Sequence, residues 1–533
     1  MILRTLLATW VAALSLIAQE SQPAASRPGT IPFVILHTND IHGQIRPLPD
    51  PSARGSEPAL RGGFQELVEA IDEERAKVAR SVLVDAGDWF QGTPEGTLSE
   101  GRCAVELMNA AGYDFAVLGN HDFDAGQQAL VTMLELARFR VFARNLMLLK
   151  PRSPFPDTRA FVVQDIGWHV MQLESAPPPI VTVGGVRIAF DGLLPEDTAT
   201  IVAPGLFEGL AVRGEIETAR RIKQGLDRPY PRAEALVLVN HVGKDHNVLI
   251  ARNVPGIDVI IGGHNHRDVL EEGVPVPSTG TLIAQAAPST TALGIVTLEI
   301  DPTARRIVSK KARLRKIQPK PELRVPRIAP IIERYERSVA DVMDVEIART
   351  DVPLVKEHDL ERPSLLGNWM TQVMLERSGA EVAVHNATGV RGSIPAGPVR
   401  VRHLFQISPF GNKLVVVSLK AIDLRALCDK TAAGPSSGCF FGGLQIQWTQ
   451  SGDQKPKVVA LLRNGRVLKD DDVLQVVTTD YLASGANNYT PFKNSLGLRD
   501  LGVTLYDATV EAARAQKTLA PRSDNPWVRV EAQ

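Results

Sequence analysis

The sequence predicts an α/β protein divided into two domains. Three observations carry this expectation: short β-rich runs alternate with helical stretches, the chain has 533 residues, and its style changes near residue 300. A prior of about 100–200 residues per domain makes a single core too few for such a length. Hydrophobic residues at 44% and charged residues at 22% are globular values and exclude wholesale disorder.

Residues 1–25 carry one early cation (Arg4), an apolar run from about Leu6 to Ala18, and then small and polar residues. That layout is a secretory signal peptide, and the run is short for a transmembrane span of about 20 residues. The expectation is an exported protein with no stable membrane span after signal cleavage. From residue 30 to 315 the runs FVILHTND (33–40), SVLVDAGD (81–88), FAVLGNHD (115–122), RVFARN (140–145), RIAFDGLL (187–194), ALVLVNHV (235–242) and DVIIGGHNH (258–266) read as strands buried on both faces. Between them, 62–80, 127–139 and 213–226 have helical periodicity, so the architecture is layered α/β. The basic, proline-containing stretch 310–326 and the amphipathic helix 330–343 suit a linker, which we place at 316–346. Residues 347–533 read as a second α/β domain.

Charge and cysteine content exclude several functions. Lys+Arg number 59 against 60 Asp+Glu, which leaves no basic footprint for a nucleic acid polymer. Three cysteines are too few for a disulfide scaffold or a thiolate zinc cluster, although Cys428 and Cys439 could pair in an oxidising compartment.

Five of the strand-like runs end in side chains suited to metals: Asp40 and His42; Asp88; Asn120 and His121; His241; His264 and His266. In open α/β sheets, ligands gather at the carboxyl ends of strands. Imidazole, carboxylate and amide donors suit Mn²⁺, Zn²⁺, Fe or Co²⁺. One such residue alone would read as a turn or cap; five coordinated instances point to a centre. The remaining histidines (His37, His169, His246, His358, His385, His403) read as packing or surface residues.

The blocks HTNDIHG, GDWFQGTP, GNHDFD, NHVG and GGHNH, in this order, resemble the calcineurin-like metallophosphoesterases, and more closely their exported 5′-nucleotidase branch. The resemblance implies a four-layer αββα catalytic domain followed by an α/β substrate-binding domain. It implies two divalent metal ions (Mn, Zn, Co, Fe or Mg). Asp40, His42, Asp88 and His266 would hold one; Asp88, Asn120, His241 and His264 would hold the other. Such a pair activates a water and neutralises phosphate charge. It also implies that His121, supported by Asp124 and next to Asn120, acts at the phosphoryl group. In the second domain RPSLLGNW (362–369), NATGVRG (386–392), PFGN (409–412), FGGLQ (441–445) and DYLASGANNYTPF (480–492) look like nucleotide-recognition blocks. Arg362 and Arg391 would grip phosphate, Asn386 would sit beside it, Phe410 and Tyr481 would sandwich the base, and Asn412 and Asn487 would reach base or sugar.

The chain departs from the family pattern at several of these positions. Ala387 and Thr388 replace glycines, adding Cβ atoms near the phosphate. Asn487 replaces the usual aspartate, Asn488 stands where glycine is usual, and Pro363 and Gln372 replace acids. The implied reaction is metal-dependent hydrolysis of a nucleoside 5′-monophosphate, a small-molecule substrate. Cleavage of 2′,3′-cyclic nucleotides or of UDP-sugars and other pyrophosphates on the same site is the alternative, and a non-catalytic binding protein is a remote one. The sequence sets no oligomeric state.

Overall fold

The computed structural model describes residues 29–49, 60–149, 178–203, 205–227, 232–357, 359–434, 438–452, 454–486 and 488–531. The signal-peptide reading of 1–25, together with His169, His358 and Asn487, lies outside the described residues. No helix among the described residues is long and apolar enough to cross a membrane.

Each of the apolar runs folds as a strand: β1 (Ile31–Thr38), β2 (Ser81–Asp85), β3 (Phe115–Val117), β4 (Arg140–Phe142), then β6 (Val186–Leu193), β7 (Ala235–Asn240) and β8 (Val259–Ile261). The shorter β5 (Ile180–Val183), β9 (Val274–Val276) and β10 (Thr281–Ala284) and the long hairpin of β11 (Ala292–Asp301) and β12 (Arg306–Lys316) complete two six-stranded sheets. Their orders are β12-β11-β1-β2-β3-β4 and β9-β10-β8-β7-β6-β5. Within them β1 to β4, and β6, β7, β8 and β10, run parallel, with antiparallel strands at the edges.

Alternation of side chains along a strand explains the unbroken apolar runs. Phe33 and Ile35 of β1 and Val237 and Val239 of β7 meet between the two sheets. Val34 and Leu36 face the other way, toward α1 (Phe64–Ala76), α2 (Arg102–Ala111) and α3 (Gln127–Leu136). Leu236 and Leu238 likewise face α4 (Glu215–Leu226) and α5 (Lys244–Asn253). Helix, sheet, sheet, helix is therefore the layer order. His37 fits inside β1 because its neighbour on β11 is Gly294, where a Cβ would stand 2.1 Å from the imidazole.

Residues 310–316, whose basic composition suggested a linker, belong to β12, and the linker placed at 316–346 begins at its last residue. In this segment Ala312 and Leu314 alternate with exposed Lys311 and Arg313, a period of two that its high charge obscured. Helix α6 (Ala329–Met343) then spans both halves of the molecule. Ile332 joins the core of the first domain, while Val339 and Met343 pack with Val401 and Phe405 of the second.

The second domain is built on a five-stranded sheet. Its strands are β13 (Val382–Asn386), β14 (Lys413–Lys420), β15 (Cys439–Gly442), β16 (Val473–Thr479) and β17 (Leu496–Thr504), in the order β15-β13-β16-β14-β17. Helices α7 (Leu365–Ser378) and α10 (Leu505–Gln516) cover one face; α9 (Ala421–Ala433) covers the other. The short α8 (Val401–Ile407) carries Arg402, whose buried guanidinium donates to Glu95 Oε1 at 2.9 Å and also to Asp344, tying the domains together beside α6. Cys428 and Cys439 are buried and free, as is Cys103.

Candidate active site at the domain junction

The ligand-type residues sit directly past strand ends: Asp40 and His42 after β1, Asp88 after β2, Asn120 after β3, His241 after β7, His264 and His266 after β8. Both sheets aim these ends at one place, which gives two candidate metal sites, Asp40–His42–His266 and Asp88–His241–His264. Within each, one ligand atom per residue lies within 4.8 Å of the others. His266 Nε2 is 3.3 Å from Asp40 Oδ1, and His241 Nε2 is 3.1 Å from Asp88 Oδ2. His42 Nε2 stands 3.7 Å from Asp88 Oδ2, so Asp88 lies between the groups. Asn120 adds a buried Oδ1 that no described donor satisfies.

The donor set fits divalent cations. His42 Nδ1 pairs with the Gln91 carbonyl at 2.7 Å and His241 Nδ1 with that of Ala86 at 2.6 Å. A carbonyl only accepts, so each Nδ1 carries the proton and each Nε2 turns a lone pair inward. At His42 that lone pair meets His266 Nε2 at 3.0 Å, and at His241 it meets a carboxylate oxygen. Electron pairs converging in this way are what a cation resolves. The field is strong. Burial opposes charge on His241, but Asp88 and Asp40 outweigh it and push its pKa up to about 10, so a proton on Nε2 facing Asp88 is what a cation would displace. Burial would raise the carboxyls of Asp40 and Asp88, yet the facing imidazoles hold both below the usual range. His264 is pushed down to about 3 by burial and then by His241.

Local backbone explains how so many ligands reach one point. Asp40, His42, Asp88 and His264 have φ of 51°, 51°, 62° and 75°, the left-handed region that non-glycine residues avoid. Each costs on the order of 1–3 kcal/mol, a strain that persists only where surrounding bonds fix it. Here the Asp40 N–H donates to Gly87 O at 2.9 Å, the His42 N–H to Asp88 O at 3.0 Å, and the His264 N–H to the Asp40 carboxylate at 3.1 Å. Space is equally constrained: a Cβ on Gly119 would lie 2.1 Å from Asp88 Oδ1.

Two positioning residues escaped the sequence reading. Asp122, fully buried, accepts from the N–H groups of Gly119 (2.8 Å), Trp89 (2.9 Å) and Asp88 (3.1 Å), stitching the β2 and β3 loops together. Asn39 donates to Asp40 Oδ2 at 2.7 Å and accepts from the Ala286 N–H at 2.9 Å. Their sequence signal was membership of the HTNDIHG and GNHDFD blocks, Asn39 one residue before Asp40 and Asp122 two after Asn120.

His121 stands beside this centre, its Nδ1 2.6 Å from Asp124 Oδ2 and its backbone N–H donating to Asp88 Oδ1 at 2.8 Å. The second domain supplies the opposite wall. Arg391 Nη2 donates to His121 Nε2 at 2.7 Å, the Phe410 ring centroid is 5.5 Å from that of His121, and the Arg391 guanidinium lies 5.1 Å over the Phe410 ring. Tyr481 donates its hydroxyl to Ile201 O across the junction at 3.2 Å, and burial pushes its pKa up to about 12. Asn386 donates to Thr388 Oγ1 at 2.8 Å, leaving its Oδ1 buried and unpartnered. Thus one of the family-pattern departures, Thr388, orients the adjacent amide. Asn412 is partly buried, with its carbonyl accepting from the Leu505 N–H at 2.9 Å. Asn488 has φ of 59°, the conformation that favours the usual glycine and that asparagine tolerates. Arg362 is not brought in: its side chain is 71% exposed and its Nε donates to Asp359 Oδ2 at 2.9 Å.

The chain is similar to known proteins in sequence and in fold. Residues 33–268 match the family described as calcineurin-like phosphoesterase, and residues 346–494 match the 5′-nucleotidase C-terminal domain. A trifunctional nucleotide phosphoesterase of Bacillus subtilis (strain 168) is 26% identical over 92% of this chain, which spans only 34% of that relative's length. A 5′-nucleotidase of Diplobatis ommata is 25% identical, with 95% of this chain and 91% of the relative aligned. Among solved structures, a 5′-nucleotidase precursor of Thermus thermophilus superposes with a TM-score of 0.78 at 25% identity, covering 94% of this chain and all of that one. With both family matches in place around the junction just described, the chain belongs to the calcineurin-like phosphoesterases that carry a 5′-nucleotidase C-terminal domain, a family of phosphoric ester hydrolases.

Proposed function

We propose that the protein hydrolyses nucleoside 5′-monophosphates to nucleoside and inorganic phosphate in a metal-dependent reaction. The observation that carries this reading is the contact of Arg391 and Phe410, from the second domain, with His121 at the edge of the two ligand groups. A phosphate held there would have an arginine on one side and metal-type ligands on the other, with an aromatic face nearby for a base. Two divalent cations on Asp40, His42, His266, Asp88, His241, His264 and Asn120 would supply an acidified water and charge neutralisation on the phosphate oxygens.

The chain's own groups do the rest. Asp124 holds His121 by Nδ1, so Nε2 is the atom that carries or delivers a proton at the leaving ribose oxygen. Arg391, partly buried and with an unpartnered Nε–H, offers a planar fork to phosphate oxygens. Phe410 and Tyr481 offer apolar faces to a base, Asn386 Oδ1 offers an acceptor to a sugar or base donor, and Asn412 would complete that wall. The N-terminal segment 1–25 would direct export. The trifunctional nucleotide phosphoesterase among the relatives favours including cyclic and pyrophosphate substrates in the test.

Purified protein supplied with Mn²⁺, Zn²⁺, Co²⁺ or Mg²⁺ should release phosphate from AMP and UMP faster than from 2′,3′-cyclic AMP, UDP-glucose or p-nitrophenyl phosphate. Turnover of the aryl phosphate with none of any nucleotide would end the nucleotide reading while keeping a hydrolase.

A further inference from the structure

The segment 285–290, directly after β10, touches two of the loops that carry ligand-type side chains. Toward the loop after β1, the Ala286 N–H donates to Asn39 Oδ1 at 2.9 Å and the Ser289 N–H donates to Asp40 O at 2.8 Å. Toward the loop after β8, Gln285 donates from Nε2 to Asn265 O at 2.6 Å. Asn265 separates His264 from His266, so one side chain holds the residue between an imidazole of each candidate metal group. β1 and β8 belong to different sheets, and no ladder hydrogen bond sets the distance between their ends. His266 Nε2 nevertheless comes to 3.3 Å from Asp40 Oδ1.

Gln285 is 1% exposed, and its Oε1 is buried with no described donor. A carbonyl only accepts, so turning the amide over would set two acceptors against each other at Asn265 O. A Cβ on Gly262 would lie 3.0 Å from that Oε1 and 2.8 Å from Asn247 Nδ2, which leaves the amide closely fitted. The backbone that follows is strained. Ser289 and Thr290 have φ of 56° and 60°, an outlier for a β-branched residue. Such backbone persists only where its surroundings fix it, here through the Ser289 N–H bond and through Thr290 Oγ1, which accepts from the Gly63 N–H at 3.1 Å. We propose that Gln285 is a positioning residue that sets the spacing of the β1 and β8 ligand loops, and with it the affinity for a divalent cation. The Asp40–His42–His266 group takes all three of its residues from these two loops, whereas Asp88–His241–His264 takes only His264 from them. The ion on the first group therefore depends more on Gln285. This assignment rests on the proposed metal-dependent reading.

Competition between the full-length metal-free protein and a chelator for Mn²⁺, with no substrate present, tests it. Q285M keeps the volume and removes the donor; Q285E keeps the shape and sets an acceptor against Asn265 O. Each should weaken binding of one Mn²⁺ ion by about 10–100-fold, weaken the other less, and change the visible absorption of the Co²⁺-loaded protein. Q285E carries the test if Q285M does not fold. A residue that only fills space tolerates methionine, so unchanged Mn²⁺ affinity and Co²⁺ absorption would overturn the proposal. Equal loss of both ions, in step with a lower Tm of the metal-free protein, would overturn it in favour of a purely structural role. A wild-type protein that takes up no Mn²⁺ would overturn both this assignment and the metal-dependent reading. Failure of the Mn²⁺-loaded wild-type protein to release phosphate from AMP would overturn the nucleotidase reading alone.

Discussion

The two walls of the junction are held in different ways. On the first-domain side, ligands sit on left-handed backbone pinned by N–H bonds, between glycines that admit no Cβ. On the second-domain side, Arg391, Phe410 and Tyr481 are partly buried side chains that touch the other domain through single hydrogen bonds and ring contacts. Rigid placement to a fraction of an ångström is what chemistry requires. Fewer constraints leave the opposite wall free to vary, and two departures from the family pattern, Ala387 and Thr388, fall in the turn that carries Arg391. The contrast separates a fixed hydrolytic centre from an adjustable binding wall.

The comparison can be broken most severely at Asp88, which lies between the two ligand groups. Asp88→Ala should lower kcat by roughly 10³-fold or more, because several kcal/mol of charge stabilisation go with it. Bound metal counted by plasma emission should fall in parallel; two tightly held ions with full turnover would break the account. A smaller effect tests whether the pinning itself matters. Asn39→Ala removes only a support of Asp40 and should weaken metal affinity by about 10–100-fold, read by titration against a competing chelator.

The smallest effect sharpens the binding wall. Burial, then the charges of Arg391 and Arg267, lower the Lys356 pKa to about 8, and His385 also faces it. The ammonium is charged below that value and neutral above it. The charged hold of Lys356 on Val390 O and Ala387 O, in the turn that carries Arg391, is therefore present at pH 7 and fades as pH rises through about 8. KM for AMP should climb by roughly fivefold between pH 7 and 9 as one charged hydrogen bond is lost. Lys356→Arg stays charged and should show a flatter profile; identical profiles for the two proteins would contradict the assignment.

Much of the first domain was legible in the sequence because its strands are buried on both faces and therefore read as unbroken apolar runs. Strand β12 was not, since an exposed edge strand rich in Lys and Arg looks like a linker. The ligand-type residues stood out because several recurred past strand ends. Asp122 and Asn39 did not, because an acid or amide after a strand ordinarily marks a turn; only the fold shows which N–H groups they collect. Arg362 matched a motif, but a loop arginine with Asp359 three residues away pairs locally. Lys356 carried no pattern at all, and its interest comes from what tertiary structure places around it.

The division of labour is tested most directly by measuring phosphate release from AMP and from p-nitrophenyl phosphate with His121→Ala and with the double variant Phe410→Ala/Tyr481→Ala. His121→Ala should lower kcat for AMP by about 10²–10⁴-fold while retaining its metals, and lower it less for the aryl phosphate, whose leaving phenolate needs no proton. Each aromatic face contributes about 1–3 kcal/mol of stacking, so the double variant should lose AMP affinity and keep turnover of the aryl phosphate. Equal losses on both substrates in the double variant, or a His121→Ala enzyme that still turns over AMP normally, would contradict the account.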